Sequence, residues 1–175
     1  MRMAANLYLL SPGSPVIYYG EEIGMRGSRG SEMTDANRRL AMLWGDNDLI
    51  RNPVGSTYPE DKQISTTVAD QTANEESLYN YYCRLIAIRH RYPAIARGIY
   101  SVLKCGEKNI GGFSIEYGNE TLGLFHNNST AALSVDLSKL EGCSFTKICD
   151  FIGMGDASIE GTVLTVGPQT SVIVE

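Results

Sequence analysis

Residues 11–25 read SPGSPVIYYGEEIGM, and the run VIYY at 16–19 decides how the first part of the chain is interpreted. This run is β-branched and aromatic, does not alternate polar with apolar residues, and ends at a glycine. Such a pattern is typical of a strand buried on both faces, as in a parallel sheet. The residues before it form a helical pattern in which Met3, Leu7 and Leu10 share one face. A helix, a short loop and a buried strand together predict a fragment of α/β architecture.

Downstream of this stretch, the composition predicts a long irregular segment followed by a helix. Residues 24–74 are rich in Gly, Ser, Asn, Asp and Thr, with an amphipathic turn or two expected around 36–44. An irregular segment of this length inside a domain is usually functional. Residues 77–92 return to helical periodicity, and Pro93 ends the helix. The apolar stripe of this helix comprises Leu78, Tyr82, Leu85, Ile88 and Tyr92.

After Gly98 the chain changes to short runs of β-branched and aromatic residues that alternate with turn clusters. Seven such runs at a spacing of roughly ten residues predict an antiparallel β-sandwich or barrel. The expected strands are 99–103, 113–117, 121–125, 132–137, 145–151, 162–166 and 171–174. The fold class predicted for the whole chain is therefore α+β.

Composition and charge exclude several classes of function. The 175 residues carry 15 basic and 20 acidic side chains, and a net charge of −5 does not suit a nucleic-acid binder. No apolar run reaches the length of about 18 residues that a membrane-spanning helix needs, so no membrane partner is expected. The four cysteines are too few and too scattered for a disulfide framework. We expect reduced, partly buried thiols, which do not assign a compartment.

The sequence shows no complete catalytic constellation. Glu21 and Glu22 directly follow the predicted strand, at the end where α/β sheets place their sites. Adjacent side chains point to different faces, whereas the paired carboxyls of glycosidases face each other across about 5–9 Å. We therefore expect a structural or substrate-lining role for both. His90 and His126 have no partners at metal-ligand spacing, so neither a metal site nor a cofactor is expected.

Three stretches nevertheless resemble the α-amylase family, glycoside hydrolase family thirteen. Residues 11–25 are similar to the family's last barrel strand, Pro-Gly-x-Pro-x-Ile-Tyr-Tyr-Gly-x-Glu. Residues 35–44, DANRRLAMLW, resemble its Asp-x-Asn-x-Arg-x-Pro-Met-x-Trp segment, with Ala41 in place of the proline. Residues 78–94 resemble the final barrel helix, which in the family precedes an all-β C-terminal domain.

The resemblance implies the C-terminal piece of an enzyme. Residues 1–97 would be the last β/α portion of a catalytic (β/α)8 TIM barrel, and residues 98–175 the whole C-terminal β-sandwich, which would cap the barrel. The parent enzyme would hydrolyse α-glucosidic bonds of starch or maltooligosaccharides with retention, through a glycosyl-enzyme intermediate. The family's catalytic acidic residues lie on earlier barrel strands. No catalytic residue is therefore expected here, the chain alone is expected to be inactive, and a calcium ion in the parent would not come from this chain.

The same resemblance implies substrate-binding residues and partners. Arg39 matches an arginine that contacts the sugar next to the scissile bond in several relatives, and Tyr19 and Glu22 match the rim near the active-site floor. The expected partners are an α-glucan and the rest of the barrel. The orphan strand at 16–19 is also expected to pair with a second copy of the chain or to be buried against the helix at 77–92.

A non-catalytic carbohydrate-binding or structural module is the alternative. A binding module needs two or three exposed aromatic side chains on one face. After residue 98 only Tyr100 and Tyr117 fall outside the core pattern, which favours a structural cap over a sugar binder.

Overall fold

The computed structural model describes residues 1–29, 35–45 and 50–175. It divides into two compact units, one formed by residues 1–15 together with 85–175, and one formed by residues 16–84. Because residues 30–34 and 46–49 are not described, the irregular segment predicted at 24–74 lies partly outside the described residues. The predicted domain division after residue 97 stays a prediction.

The first unit contains a sandwich of two antiparallel sheets, as the sequence predicted. The larger sheet has the strand order β1-β2-β3-β8-β5, and the smaller sheet has the order β4-β7-β6. The strands are β1 (Ile99–Leu103), β2 (Ile110–Tyr117), β3 (Glu120–Asn127), β4 (Leu133–Asp136), β5 (Ile148–Gly153), β6 (Ala157–Glu160), β7 (Val163–Val166) and β8 (Thr170–Val174). Each of the seven predicted strands overlaps one of these, and β6 is an additional strand that the sequence pattern did not predict.

The five-stranded sheet is covered on both faces. One face packs against the smaller sheet, and Phe125 and Val172 meet Val135 and Leu164 in a shared apolar core. The opposite face is covered by helices, since α1 (Arg2–Leu9) contacts β5 and β8, and α4 (Pro93–Arg97) contacts β2. Strand β8 is consequently buried at all five of its residues.

Helix α1 buries only part of the face that its periodicity predicted. Met3 and Leu10 of that face are buried together with Ala5 and Leu9, whereas Leu7 is 44% exposed. The reason is Asn6, which is fully buried. Its Nδ2 donates to the Ile152 carbonyl at 3.1 Å and to Ser171 Oγ at 2.9 Å, and this turns Leu7 outward.

The C-terminal end of α1 is held by one arginine. The Arg89 guanidinium is 9% exposed and donates from Nη1 to the Leu9 and Ser11 carbonyls at 2.7 and 2.6 Å, and from Nη2 to the Gly13 carbonyl. The last carbonyls of a helix have no partner within the helix. Arg89 supplies a partner for the Leu9 carbonyl and for two carbonyls just beyond the helix, and the three carbonyls in turn satisfy its buried charge.

The second unit contains α2 (Val68–Ala73) and the first half of α3 (Leu78–Arg91), and α3 confirms the helix predicted at 77–92. Ser77 Oγ accepts from the Asn80 amide at 3.1 Å and so caps α3. In residues 36–44, where an amphipathic turn or two was expected, the structure has a single 3-10 turn, Ala36–Arg38.

The strand predicted at 16–19 is not formed among the described residues of this chain. None of the described strands forms a ladder with it, and Val16 and Tyr18 are 83% and 52% exposed. Its expected burial against the helix at 77–92 is therefore wrong. A strand needs neighbours for its ladder and cover for its faces, and the described residues supply neither here.

The cysteines are all free, with Cys83 exposed and the other three partly buried. Among the described residues, no helix is both long enough and apolar enough to cross a bilayer.

Candidate functional site

Two tyrosines of the VIYY run lie against the segment that carries the arginines. Tyr18 Oη donates to the Arg38 carbonyl at 3.5 Å, and Tyr19 Oη donates to the Leu40 carbonyl at 3.0 Å. The two rings lie 5.0 Å apart between centroids. The hydroxyl groups thus join residues 18–19 to residues 38–40, which are about twenty positions further along the chain.

These segments enclose a small open pocket of about 120 Å³, which we call the rim pocket. The lining residues include two arginines, one glutamate and two tyrosines, which are side chains that can donate hydrogen bonds, accept them and offer aromatic surface. Such a mixture of polar groups and aromatic faces suits a ligand with many hydroxyl groups. Its lining includes Tyr18, Tyr19, Glu21, Arg26, Asn37 and Arg38.

Of the three predicted substrate-binding residues, Tyr19 lies in the rim pocket. Burial raises the pKa of the Tyr19 phenol, the neighbouring Tyr18 adds to the rise, and the positive charge of Arg39 opposes it. The phenol is therefore neutral at ordinary pH and acts as a hydrogen-bond donor.

Arg39 flanks the rim pocket, and Arg38 is the arginine that lines it. The Arg39 Nη2 atom lies 2.9 Å from Asp35 Oδ2, and both side chains are 64% exposed. Ion pairs this exposed contribute little to stability. The Arg39 guanidinium can therefore exchange this carboxylate for another acceptor at small cost.

Glu22 lies on the 3-10 turn Glu21–Ile23, and its carboxylate has an unusual environment. Its Oε2 atom is buried and has no hydrogen-bond partner within the described part of the chain. A buried acceptor without a donor costs free energy, so such an atom in a native protein calls for a partner. Glu21, the adjacent carboxylate, lines the rim pocket. The assignment of Arg39, Tyr19 and Glu22 as substrate-binding residues stays a prediction.

Sequence reasoning missed the side chains that organise this irregular unit, which are carboxamides. Gln63 Oε1 accepts from the Arg26 amide at 2.8 Å, and its Nε2 donates back to the Arg26 carbonyl at 2.8 Å. Gln71 Nε2 donates to the Ile23 carbonyl at 2.7 Å. Asn37 forms a third such centre. Amide side chains in a segment without periodicity leave no pattern in the sequence, and only the family motif around Asn37 pointed to this region.

The histidines lie outside the rim pocket. His126 is buried in the larger sheet, with Nδ1 2.7 Å from Ser171 Oγ, and burial lowers its pKa to about 4. His90 is exposed on α3. Within residues 1–29, 35–45 and 50–175, no three His, Cys, Asp or Glu side chains are grouped so that they could hold a metal ion.

Comparison with known proteins gives matches along the whole chain. Residues 1–98 match the family model for the α-amylase catalytic domain. The chain is 35% identical over 152 residues to alpha-amylase SusG of Bacteroides thetaiotaomicron, a match that covers 82% of this chain and 22% of that protein. It is 27% identical over 175 residues to alpha-amylase 3 of Dictyoglomus thermophilum, covering 99% of this chain and 33% of that protein.

A solved structure, Eubacterium rectale Amy13B, superposes with a TM-score of 0.85 at 30% sequence identity. That match covers 99% of this chain and 33% of the solved one. The chain therefore spans between about a fifth and a third of the length of these relatives.

Proposed function

Because the chain belongs to the α-amylase family of glycoside hydrolases, we propose that it forms the C-terminal part of an enzyme that hydrolyses α-glucosidic bonds of starch or maltooligosaccharides. In this proposal, residues 1–97 complete a catalytic barrel and residues 98–175 cap it. The reaction retains the anomeric configuration and proceeds through a glycosyl-enzyme, with both catalytic carboxylates supplied from outside this chain. The chain alone is then inactive.

The observation that carries the proposal is the exposed VIYY run. It lies within the match to the catalytic-domain model, yet Val16, Tyr18 and Tyr19 are 83%, 52% and 43% exposed. A β-branched and aromatic run that takes part in no ladder binds another strand readily. The neighbouring strands of a barrel are the partners that would give this run both a ladder and a cover.

The rim residues support a sugar as the ligand. The exposed Arg39 guanidinium can donate to sugar hydroxyls, and the Tyr19 phenol can do the same after leaving the Leu40 carbonyl. The Oε2 atom of Glu22 has no hydrogen-bond partner among the described residues, and a carboxylate oxygen can accept from a hydroxyl group. We therefore propose Arg39, Tyr19 and Glu22 as substrate-binding residues.

The placement of the exposed aromatic side chains on the sandwich favours a structural cap over a carbohydrate-binding module. Tyr100 is partly buried and its hydroxyl group donates to the Ile95 carbonyl at 2.8 Å. Tyr117, the other candidate, is 38% exposed, and Phe151, which the core pattern had placed inside, is 42% exposed, so that expectation is wrong for Phe151. Tyr117 on β2 and Phe151 on β5 are separated by β3 and β8, so the two rings do not make the continuous flat platform that a sugar-binding sandwich needs.

A hybrid enzyme tests the proposal. The third of alpha-amylase 3 of Dictyoglomus thermophilum that this chain matches is replaced by residues 1–175, and hydrolysis of maltotetraose is measured. We expect the hybrid to hydrolyse maltotetraose and the chain alone not to do so.

Variants of the hybrid test the site residues. Arg39→Ala should raise KM about tenfold, because the loss of one good contact to the bound sugar costs about 1.4 kcal/mol. Arg97→Ala, which removes an exposed arginine from the end of α4, is the matched control and should leave KM unchanged. Equal KM values for the two variants would contradict the assignment of Arg39.

A further inference from the structure

Asn37 uses every hydrogen-bonding position of its side chain amide on partners within the described part of the second unit. It is 3% exposed, and its Nδ2 donates to Ser28 Oγ at 3.1 Å and to Thr57 Oγ1 at 3.0 Å. Its Oδ1 accepts from the backbone amides of Thr57 at 2.7 Å and Tyr58 at 3.1 Å. An asparagine amide offers two donors and two acceptor positions, and all four are used here.

The backbone of Asn37 is also held, by contacts with residues 27–28. The Asn37 carbonyl accepts from the Ser28 amide at 3.3 Å. Gly27 approaches so closely that a Cβ atom there would lie 2.5 Å from the Asn37 carbonyl oxygen, so only glycine fits. Asn37 therefore joins three separate segments: its own, the one at 27–28 and the one at 57–58.

The residues that follow Asn37 directly line or flank the rim pocket. The Arg38 and Leu40 carbonyls accept the two tyrosine hydroxyls, and Arg39 stands between them. The segment 38–40 is thus held by Tyr18 and Tyr19 through its carbonyls, and through Asn37 by the segments at 27–28 and 57–58. Tyr18 and Tyr19 are half-exposed, whereas Asn37 is buried, so the Asn37 contacts are the better shielded from water.

We propose that Asn37 is a positioning residue, which fixes Arg38 and Arg39 relative to the two tyrosines and so presents their guanidinium groups to the ligand of the rim pocket. That the ligand is a maltooligosaccharide rests on the proposed function. The positioning itself rests on the hydrogen bonds of Asn37 alone. Asn37 acts through its neighbours and has no catalytic role.

The test compares Asn37→Ala with a variant of equal severity elsewhere in the unit. Asn80 is the matched control, because its Nδ2 donates to the Gln71, Thr72 and Asn74 carbonyls at 2.9–3.2 Å, and Asn80→Ala removes a similar number of bonds at the start of α3. Nitrogen-15 relaxation of the full chain then gives backbone order parameters for residues 38–40, alongside the melting temperature of each variant.

We expect both variants to lower the melting temperature, but only Asn37→Ala to lower the order parameters of residues 38–40, from about 0.85 to below about 0.6. Exchange of the Thr57 and Tyr58 amides should become about five- to tenfold faster in that variant, because each loses its acceptor. Asn37→Asp should restore the order, since the Ser28 and Thr57 hydroxyl groups can rotate to donate to a carboxylate. Unchanged order parameters in Asn37→Ala, or an equal loss in Asn80→Ala, would overturn the proposal.

A milder variant covers the case in which Asn37→Ala does not fold. Thr57→Val removes one acceptor from Asn37 Nδ2 and leaves the backbone contacts in place, so it should lower the order of residues 38–40 by a smaller amount. No change in Thr57→Val would then count against the proposal.

The sugar is tested separately in the hybrid enzyme. Asn37→Ala should raise KM for maltotetraose at least fivefold while kcat changes less than twofold, and Asn80→Ala should change neither. If the unaltered hybrid does not hydrolyse maltotetraose, the proposed function fails, and the order parameters still decide whether Asn37 positions the arginines.

Discussion

Replacing Leu9 with alanine should destabilise the first unit far more than the same replacement at Leu7, two residues earlier in α1. Leu9 is 1% exposed on the side of α1 that packs on β5 and β8, whereas Leu7 is 44% exposed. Leu9→Ala removes three buried carbon atoms and leaves a cavity, which together cost about 3–4 kcal/mol of unfolding free energy. Leu7→Ala removes half-exposed carbon and leaves no closed cavity, so its cost is below about 1 kcal/mol.

Thermal unfolding followed by circular dichroism at one protein concentration measures the difference. For a chain of this size each kcal/mol shifts the melting temperature by roughly 2–4 °C, so Leu9→Ala should lower it by about 6–16 °C and Leu7→Ala by no more than about 4 °C. The two variants share helix, chemistry and helix propensity, and they differ in burial alone. Equal shifts for the two would refute the packing of α1 on the sandwich and, with it, the assignment of residues 1–15 to this unit.

Two further predictions concern buried polar groups of the same unit. Burial lowers the pKa of His126 from 6.5 to about 4, so the unfolded chain takes up this proton at a higher pH than the folded one. The stability contributed by the neutral imidazole is full above pH 6.5 and is lost as the pH falls towards 4. Urea unfolding at pH 7 and pH 4 should show this loss of unfolding free energy, up to about 3 kcal/mol, in the wild type and not in His126→Asn. An identical loss in both proteins would count against the role of His126 in the pH dependence. Arg89→Met should lower the free energy of unfolding by about 2–4 kcal/mol, because the Leu9, Ser11 and Gly13 carbonyls lose their donor. Arg89→Lys should recover part of that loss. An unchanged urea midpoint in Arg89→Met would show that water replaces the guanidinium.

The sandwich was predictable because its signals are local. Each strand except β6 carries its own run of β-branched or aromatic residues between turn clusters, and α3 has an apolar stripe, a capping Ser77 and a stop at Pro93. Strand β6, with the sequence ASIE, has no such run, and it exists because β7 pairs with it along its length. That pairing is a tertiary property, which the residues of β6 do not reveal.

The orientation of α1 and the rim pocket were beyond the sequence for a related reason. Asn6 is polar and would be placed on the outer face of a helix, but Ile152 and Ser171 offer it buried hydrogen bonds, and both are more than 140 positions away. Asn37 likewise depends on Thr57 and Tyr58, which have no fixed spacing from it. The family motif pointed to Arg39 and Tyr19. The amide contacts that hold their surroundings could be seen only in three dimensions.

Maltotetraose hydrolysis by the hybrid enzyme tests the central claim most directly. Its rate is compared with that of the Dictyoglomus thermophilum enzyme from which the matched third has been removed. If this chain completes and caps an α-amylase barrel, the hybrid is active, the truncated part and the chain alone are not, and the first product seen by proton NMR is the α-anomer. A hybrid that folds but hydrolyses maltotetraose no faster than the truncated part would contradict the account.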